Sequence, residues 1–237
     1  MFYADSFSSA RHRLHDGYLT VTAADLIATD PRLRDLDVDV RFDGGVAHLT
    51  GEVADDDQLR RVREAIGRLA GVHGVWDRLR VGGRAPVILD IGCGDAPQYP
   101  GNIGLDQRPG KAVSVVADLR DGLPIADATA DQIFAVHVLE HLTDYLRLVR
   151  ECHRVLRPGG VLHILSPWWR HVNAVADPTH LRFFDLQTIK GICQQPTPDR
   201  WYPQHASCDG ATVFADLVAA RPTDPEPDPR HLARFFD

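Results

Sequence analysis

An apolar segment that ends in an acid and a glycine pair is the strongest constraint on the fold of this 237-residue chain. Residues 87–91 are apolar except for Asp90, and Gly92 and Gly94 follow one residue apart. Glycine has no Cβ, so the chain can turn sharply there and present bare peptide N–H groups at the carboxyl end of a strand. The sequence therefore predicts a site for a small anionic or zwitterionic ligand at this point.

Two further apolar runs end in acids, at Asp106 and at Asp118. Parallel strands would place all three acids at one edge of a sheet, where carboxylates accept hydrogen bonds from ribose hydroxyls and an adenine amino group. A nicotinamide dinucleotide is disfavoured, because its fingerprint needs a third glycine and an acid about twenty residues later. Pro97 stands where that glycine belongs, and Asp106 follows Gly94 by only 12 residues.

The segment between the first two strands is too short and too rich in breakers for a full helix followed by a strand. Pro97, Pro100 and Gly101 all fall within it, and proline interrupts the helical hydrogen-bond ladder. We therefore expect the ligand to contact a loop of backbone amides, not the N-terminus of a long helix.

These motifs, in this order, resemble those of the class I S-adenosylmethionine-dependent methyltransferases. The resemblance covers about residues 86–190 and includes DIGCG at 90–94, ADL at 117–119, a fourth strand and turn at 131–141, and a helix stop with a fifth strand at 155–162. It implies an α/β fold with a Rossmann-like, doubly wound, mostly parallel sheet and a terminal antiparallel hairpin. It also implies S-adenosylmethionine as cofactor and a small-molecule acceptor, methylated on oxygen, nitrogen or carbon.

Position by position, the resemblance assigns cofactor-binding roles to nine residues. The glycine turn would hold the methionine part, Asp106 the ribose hydroxyls, and residues 118–119 the adenine, while residues 137–138 would lie near the sulfonium. The predicted set is Asp90, Gly92, Cys93, Gly94, Asp106, Asp118, Leu119, His137 and Val138.

Two segments rich in aromatic residues and histidine follow the fifth strand, where the acceptor is expected to enter. The second, residues 177–184, resembles a D-P-T-H-x-R-F element that lies over the active site in some members of the group, and Phe183 and Phe184 are predicted to be core. Imidazole can take a proton at neutral pH, although alignment with the sulfonium can lower much of the barrier by itself. The candidate bases are His180, which we prefer, His171 and His137, and the candidate acceptor-binding residues are Trp168, Trp169, Asp177 and Arg182.

Residues 137–141 also fit H-x-x-E-H, a pattern that on a helix places two imidazoles and a carboxylate around zinc. That arrangement needs His137 inside a helix, whereas the apolar run before it predicts a buried strand and places His137 at the strand-to-helix turn. We therefore predict no metal site.

The later elements are predicted from local signals. Thr143 is the expected N-cap of an amphipathic helix, and Asp209-Gly210 is the expected type I′ turn of a hairpin formed by residues 201–208 and 211–218. The methyltransferase domain is assigned to residues 87–220 and a Pro-rich acidic tail to 221–237. Within the tail, residues 222–229 read as a stiff linker, and the last apolar residues, Leu232, Phe235 and Phe236, either dock or fray.

Residues 20–82 form a separate small α/β unit, with alternating strands at 38–42 and 46–50, a helical repeat at 59–69 and a strand at 75–81. The sequences DGGV at 43–46, GEV at 51–53 and GVHGV at 71–75 resemble the BON domain family. This resemblance implies peripheral contact with a phospholipid surface or a protein partner. A unit of about 60 residues is marginal alone, so it leans on its neighbour or forms a homodimer. Residues 1–19 are then an N-terminal extension and 83–86 a linker.

Composition limits the remaining alternatives. A net charge of −7 disfavours a nucleic-acid substrate, and the four cysteines lack a C-x-x-C pair. With neither a secretory signal nor an apolar span of membrane length, a cytoplasmic location is expected. The rival function from another class is a non-catalytic protein that binds the cofactor, a lipid surface or a partner and regulates something else; a metallopeptidase is more distant.

Overall fold

A computed structural model describes residues 6–220, 223–224 and 229–236. The chain divides into two compact units, Met1–Pro86 and Val87–Asp237, which we call the N-terminal and C-terminal domains. None of the helices in the described ranges is long and apolar enough to cross a bilayer.

The N-terminal domain is a four-stranded sheet with two helices. Strand β2 pairs antiparallel with β1 and parallel with β3 and β4. Gly44 and Gly45, both at positive φ, make the two-residue turn between β1 and β2. The elements are α1 (Ser6–Thr29), β1 (Asp37–Asp43), β2 (Val46–Val53), α2 (Asp56–Gly67), β3 (Gly74–Asp77) and β4 (Arg80–Val81).

Helix α1 runs through the predicted boundary between residues 19 and 20, so most of the predicted extension belongs to this domain. Leu19 and Ala23 are fully buried in the domain core, and Asp16 accepts hydrogen bonds from the N–H groups of Gly44 and Gly45. Periodicity did not reveal the helix, because apolar side chains such as Val21 also stand on its exposed side.

The C-terminal domain is built on a seven-stranded sheet in the order β10-β11-β9-β8-β5-β6-β7. Strands β5 to β9 are parallel, and β11 and β10 add an antiparallel pair, as predicted. The elements are β5 (Ile88–Ile91), β6 (Ile103–Asp106), β7 (Val113–Val116), β8 (Ala130–Val136), a 3-10 turn (Leu139–His141), α3 (Tyr145–Val155), β9 (Leu156–Pro167), α4 (Val172–Ala176), α5 (Leu186–Cys193), β10 (Trp201–Cys208), β11 (Thr212–Ala219) and α6 (Pro229–Phe236).

The strand order reverses at β5, which lies between β6 and β8. A reversal of this kind opens a crevice at the carboxyl ends of the strands, where open α/β sheets bind their ligands. No helix connects β5 to β6, which confirms the predicted loop, and the connection from β6 to β7 is also free of helix. The Rossmann-like α/β fold class is therefore correct.

Three local predictions differ from the structure. Asp144, not Thr143, caps α3, because its carboxylate accepts the Arg147 N–H at 3.2 Å. The turn at Asp209-Gly210 is not type I′, since Asp209 has no positive φ and instead accepts two backbone N–H bonds through its side chain.

The third difference concerns the neighbouring phenylalanines. Phe184 is fully buried as predicted, but Phe183 is 54% exposed. Successive side chains of an extended segment point to opposite sides, so only one of two neighbours can enter the core.

The last apolar residues of the chain dock on the C-terminal domain. Leu232 and Phe236 on α6 are buried in its core, and the Gln187 side chain donates to the Phe236 carbonyl at 2.8 Å. The end of the predicted tail is thus part of the domain. Of the predicted stiff linker at 222–229, residues 222 and 225–228 lie outside the described residues.

Candidate functional site

The glycine turn after β5 adopts the backbone conformation that its sequence predicts. Gly92 and Gly94 lie at φ +66° and +51°, a region that favours glycine. A Cβ added to Gly92 would lie 2.6 Å from Cγ2 of Val138, whereas one added to Gly94 would meet no atom within 4 Å. The turn is therefore closed on the Val138 side and open at Gly94, which leaves room for a ligand against the backbone.

Asp106, at the end of β6, faces this turn. Its Oδ2 accepts the Gly94 N–H at 2.9 Å, and its Oδ1 accepts the Arg108 N–H at 2.9 Å. Each carboxylate oxygen can accept a further hydrogen bond. Asp106 can therefore hold the glycine turn and a ligand hydroxyl at the same time.

Asp90 stabilises the loop around the site from within. The side chain is buried and accepts hydrogen bonds from the Gln98 N–H and the Asn102 amide. Burial raises the pKa of this carboxyl, and the two hydrogen bonds oppose the rise. Asp90 thus positions the helix-free loop from within.

Cys93 lies between the two glycines and is buried. Burial and the nearby Asp90 and Asp106 carboxylates raise the pKa of its thiol. The thiol is therefore neutral at physiological pH, and Cys93 can line a site without acting as a nucleophile.

Asp118 lies two residues beyond β7, next to the end of β6. The Ala117 N–H donates to the Asp106 carbonyl at 2.9 Å, which ties the two strand ends together. The Arg120 guanidinium binds Asp118 at 2.6 Å and lowers its pKa to about 2. Sequence reasoning missed Arg120, although its position two residues after the acid was the available signal. The neighbouring Leu119 packs against the core.

His137 marks the end of β8. Its φ is +54°, rare for a residue with a side chain, and its N–H donates to the Leu165 carbonyl at 2.9 Å. This geometry confirms that His137 lies at the strand-to-helix turn. Its Nδ1 lies 3.1 Å from Oε1 of Glu140, and Val138 then closes the glycine turn.

Glu140 is a central residue that the sequence reasoning did not assign to the site. Its carboxylate is buried, with Oε1 bonded to His137 and Oε2 accepting the Ser166 hydroxyl at 3.1 Å. Its backbone carbonyl accepts the N–H groups of Leu181 and Arg182 at 2.7 and 3.0 Å. Glu140 therefore joins the ends of β8 and β9 to segment 177–184. The H-x-x-E-H pattern was its signal.

His180, the preferred candidate base, is brought to this edge of the sheet. Its Nδ1 bonds the Ala174 carbonyl at 3.0 Å, and its ring lies against that of His141 with centroids 4.7 Å apart. Asp177 accepts the backbone and side-chain donors of Thr179, which lower the pKa of its carboxyl, and lies 3.8 Å from Nε2 of His180. The imidazole is thus oriented from both sides.

The other candidate base, His171, and the remaining residues predicted to bind the methyl acceptor have mixed environments. Arg182 donates two hydrogen bonds to the Thr143 carbonyl and so ties segment 177–184 to the residue before α3. His171 accepts the Asn173 N–H and caps α4. Among the described side chains, it makes no hydrogen bond with His180. Trp168 packs against the core, and Trp169 is partly exposed under the Arg170 guanidinium, 4.7 Å from the ring centroid. A cavity of about 310 Å³ is lined by Trp169, Val175, Phe183, Asp185 and Thr188.

Comparison with known proteins identifies both domains. Residues 89–164 match the family model of a methyltransferase domain, and residues 15–83 match that of the BON domain. A probable S-adenosylmethionine-dependent methyltransferase of Mycolicibacterium smegmatis is 38% identical over 111 residues, which cover 39% of this chain and 42% of that protein.

The names of two relatives state which atom is methylated. Norajmaline N-methyltransferase of Rauvolfia serpentina is 30% identical over 129 residues, covering 45% of this chain and 44% of that protein. Ubiquinone biosynthesis O-methyltransferase of Rhizobium johnstonii is 30% identical over 137 residues, covering 49% of this chain and 50% of that protein. The chain thus spans half the length of these relatives or less. Residues 15–83 thus match the BON domain, and residues 89–164 match a methyltransferase domain.

Proposed function

We propose that the C-terminal domain transfers a methyl group from S-adenosylmethionine to a small-molecule acceptor. The observation that carries this proposal is the left-handed turn at Gly92 and Gly94, which lies where the strand order reverses. The Gly94 N–H in this turn donates to Asp106 at the end of β6. Because Asp106 occupies the Gly94 N–H, the turn contributes open space and not a free donor, and Asp106 contributes its remaining lone pairs at the same edge of the sheet. The family match over residues 89–164 supports the same activity.

The residues at this edge fit the cofactor. The space beside Gly94 accommodates its amino-acid tail, the remaining lone pairs of Asp106 suit the ribose hydroxyls, and Asp118 lies on the neighbouring strand end for the adenine. Asp90 and Cys93 support the loop, and Leu119, His137 and Val138 complete the wall. The cofactor supplies an activated methyl group on a sulfonium.

The acceptor is proposed to enter beside segment 168–184. The relatives named above act on nitrogen in one case and on oxygen in the other, and the cavity of about 310 Å³ beside Trp169 and Phe183 suits a small, partly apolar molecule. Aligning that molecule with the sulfonium lowers the barrier. His180 is the proposed proton acceptor, and its support is that Nδ1 bonds the Ala174 carbonyl while Nε2 lies towards Asp177.

The N-terminal domain is proposed to direct the enzyme to a lipid surface, to a protein partner or to a second copy of the chain. The BON match over residues 15–83 supports such a targeting role. A cytoplasmic location would follow from use of a methyl donor that is made inside the cell.

The test is calorimetry with S-adenosylmethionine and S-adenosylhomocysteine, followed by a methyl-transfer assay on small-molecule extracts. Asp106→Asn should weaken binding of both by about 10- to 100-fold, since a hydrogen bond to a charged group contributes about 1.5–3 kcal/mol. Asp95→Asn is the control, because that loop acid also accepts a backbone N–H, from Lys111. Equal affinities for the two variants would contradict the site.

Cofactor binding without turnover on any extract would favour the non-catalytic alternative, in which the domain binds the cofactor and regulates a partner. An isotopic label on the methyl group of the cofactor separates the two functions, since a regulator returns the cofactor intact. Transfer of label to any extract component supports the enzyme.

A further inference from the structure

Three side chains beside the proposed methyl-transfer site bring potential metal-ligand atoms close to one another. One ligating atom from each of Glu140, His141 and His180 lies within 4.8 Å of the other two. We propose that these residues bind a divalent metal ion of the zinc class. Two imidazoles and one carboxylate are a common zinc ligand set, which leaves coordination positions open for water or substrate.

The hydrogen bonds of His180 prepare one of its ring nitrogens for a metal. Its Nδ1 is 3.0 Å from the Ala174 carbonyl, which can only accept. The neutral ring therefore carries its proton on Nδ1, and the lone pair is on Nε2. Metal-bound histidines are usually oriented in this way, by donating the other N–H to a carbonyl or carboxylate.

His141 has the same arrangement, fixed by a different partner. Its Nδ1 lies 3.0 Å from the Thr179 hydroxyl, and that hydroxyl already donates its single hydrogen to Asp177 at 2.6 Å. The hydroxyl must therefore accept from Nδ1–H of His141, which leaves the lone pair on Nε2. Both imidazoles thus have the same nitrogen available.

Glu140 supplies the negative charge. Its side chain is 1% exposed, and its two oxygens accept from His137 and from the Ser166 hydroxyl. A buried carboxylate is costly unless a positive charge compensates it. A bound cation would supply that charge, while His137 and Ser166 would hold the carboxylate in orientation. Asp177 lies 3.8 Å from His180 Nε2 but is not part of the three-residue ligand group.

This site also changes how the H-x-x-E-H pattern is interpreted. The expectation of no metal depended on His137 lying outside a helix, and the structure does place it at a turn, bonded to Glu140. His180, 39 residues beyond His141 in the chain, takes the place of the second imidazole. Tertiary structure therefore assembles a ligand set that the pattern alone could not.

If the proposed methyltransferase function holds, the metal narrows the acceptor to molecules with an acidic hydroxyl, such as a phenol. The metal would bind the hydroxyl oxygen and lower its pKa, so that its proton leaves to water. The oxygen would then bond to the methyl carbon while the carbon–sulfur bond breaks and its electron pair returns to sulfur. With the metal bound, His180 would be a ligand, and the base role proposed for it above would apply only to the metal-free enzyme.

The test uses the full chain after removal of metals with a chelator and dialysis. Titration with Zn²⁺, monitored by calorimetry, and with Co²⁺, monitored by visible absorption, should show saturable binding of one metal ion per chain in this domain. His141→Ala and His180→Ala should each lose at least tenfold in affinity, with circular dichroism confirming that the variants fold. His12→Ala, which changes an exposed histidine of α1 outside the cluster, should leave that binding unchanged.

Absence of saturable binding, or equal affinity in wild type, His141→Ala and His180→Ala, would overturn the metal site. Binding of S-adenosylhomocysteine to the metal-free protein tests the proposed function separately, because the cofactor residues are not metal ligands. Metal binding without cofactor binding would leave the metal site standing and remove the methyltransferase proposal. Full transfer to a hydroxyl acceptor by the metal-free protein would overturn the role assigned to the metal.

Discussion

The Arg63–Asp77 pair of the N-terminal domain and the Asp90 and Glu140 carboxylates of the C-terminal domain are buried in different ways. In the BON domain, Arg63 and Asp77 are both buried and pair with each other at 2.6 Å. In the methyltransferase domain, the buried acids Asp90 and Glu140 accept hydrogen bonds from loop amides and from histidine, amide and hydroxyl side chains at the edge where the strands end. Breaking a buried charge pair leaves one charge unpaired in the core and destabilises the fold, whereas acids gathered at the carboxyl ends of parallel strands are typical of a ligand site.

The largest effect is expected from breaking the buried pair of the BON domain. Arg63→Ala leaves Asp77 charged and buried, which should lower the free energy of unfolding of this domain by about 3–5 kcal/mol. Chemical denaturation measures this, and cofactor affinity should not change. Arg60→Ala is the control, because its pair with Asp57 is exposed and should contribute less than about 1 kcal/mol. Equal losses for the two variants would contradict a special role for the buried pair.

A smaller effect, on both stability and binding, is expected at the glycine turn of the methyltransferase domain. Gly92→Ala places a side chain at φ +66° and 2.6 Å from Val138, so the left-handed strain and the overpacking together should cost about 2–4 kcal/mol. Calorimetry should show weaker binding of S-adenosylmethionine, and thermal unfolding a lower midpoint.

The matched control is Gly191→Ala in helix α5, where an added Cβ meets no atom within 4 Å. Alanine in a helix should stabilise by up to about 1 kcal/mol. If Gly92→Ala binds the cofactor as tightly as Gly191→Ala does, the turn does not hold the ligand.

The smallest effect is a pH dependence that the domains share. Burial lowers the pKa of His153 in the methyltransferase domain and of His48 in the BON domain below the ordinary 6.5. A lowered folded-state pKa favours the neutral ring, so its stabilising contribution is complete above pH 6.5 and is lost as the pH falls through the folded-state pKa. Denaturation at several pH values should therefore show falling stability in both domains below pH 6.5.

Replacing one histidine at a time should separate the domains. His153→Gln should flatten the acid dependence of the methyltransferase domain only, and His48→Gln that of the BON domain only. If either variant keeps the same dependence of unfolding free energy on pH as the wild-type domain, groups other than the replaced histidine cause that dependence.

Much of the candidate binding edge was predictable because its signals are local. The strands that end near Asp90, Asp106 and Asp118 are short apolar runs, and the glycine pair requires a turn. These features depend on neighbours along the chain, so a single sequence is enough to place them. The helix-free loop after β5 followed in the same way from its prolines and its length.

Other contacts depend on chain segments that are distant in sequence. Nothing in the sequence near Glu140 shows that His180 lies beside it, or that the Glu140 carbonyl would bind the backbone of Leu181. The docking of Phe236 and the exposure of Phe183 likewise depend on which surfaces meet after folding.

The amino-acid sequence by itself therefore determined the strands, the acids at their ends, the glycine turn and the resemblance to two families. Only the tertiary structure decided which side chains share a site, that Arg120 closes on Asp118, and that Glu140, His141 and His180 meet. The reason is physical. Backbone conformation follows from local sterics and periodicity, whereas contacts between distant segments form only when the whole core packs.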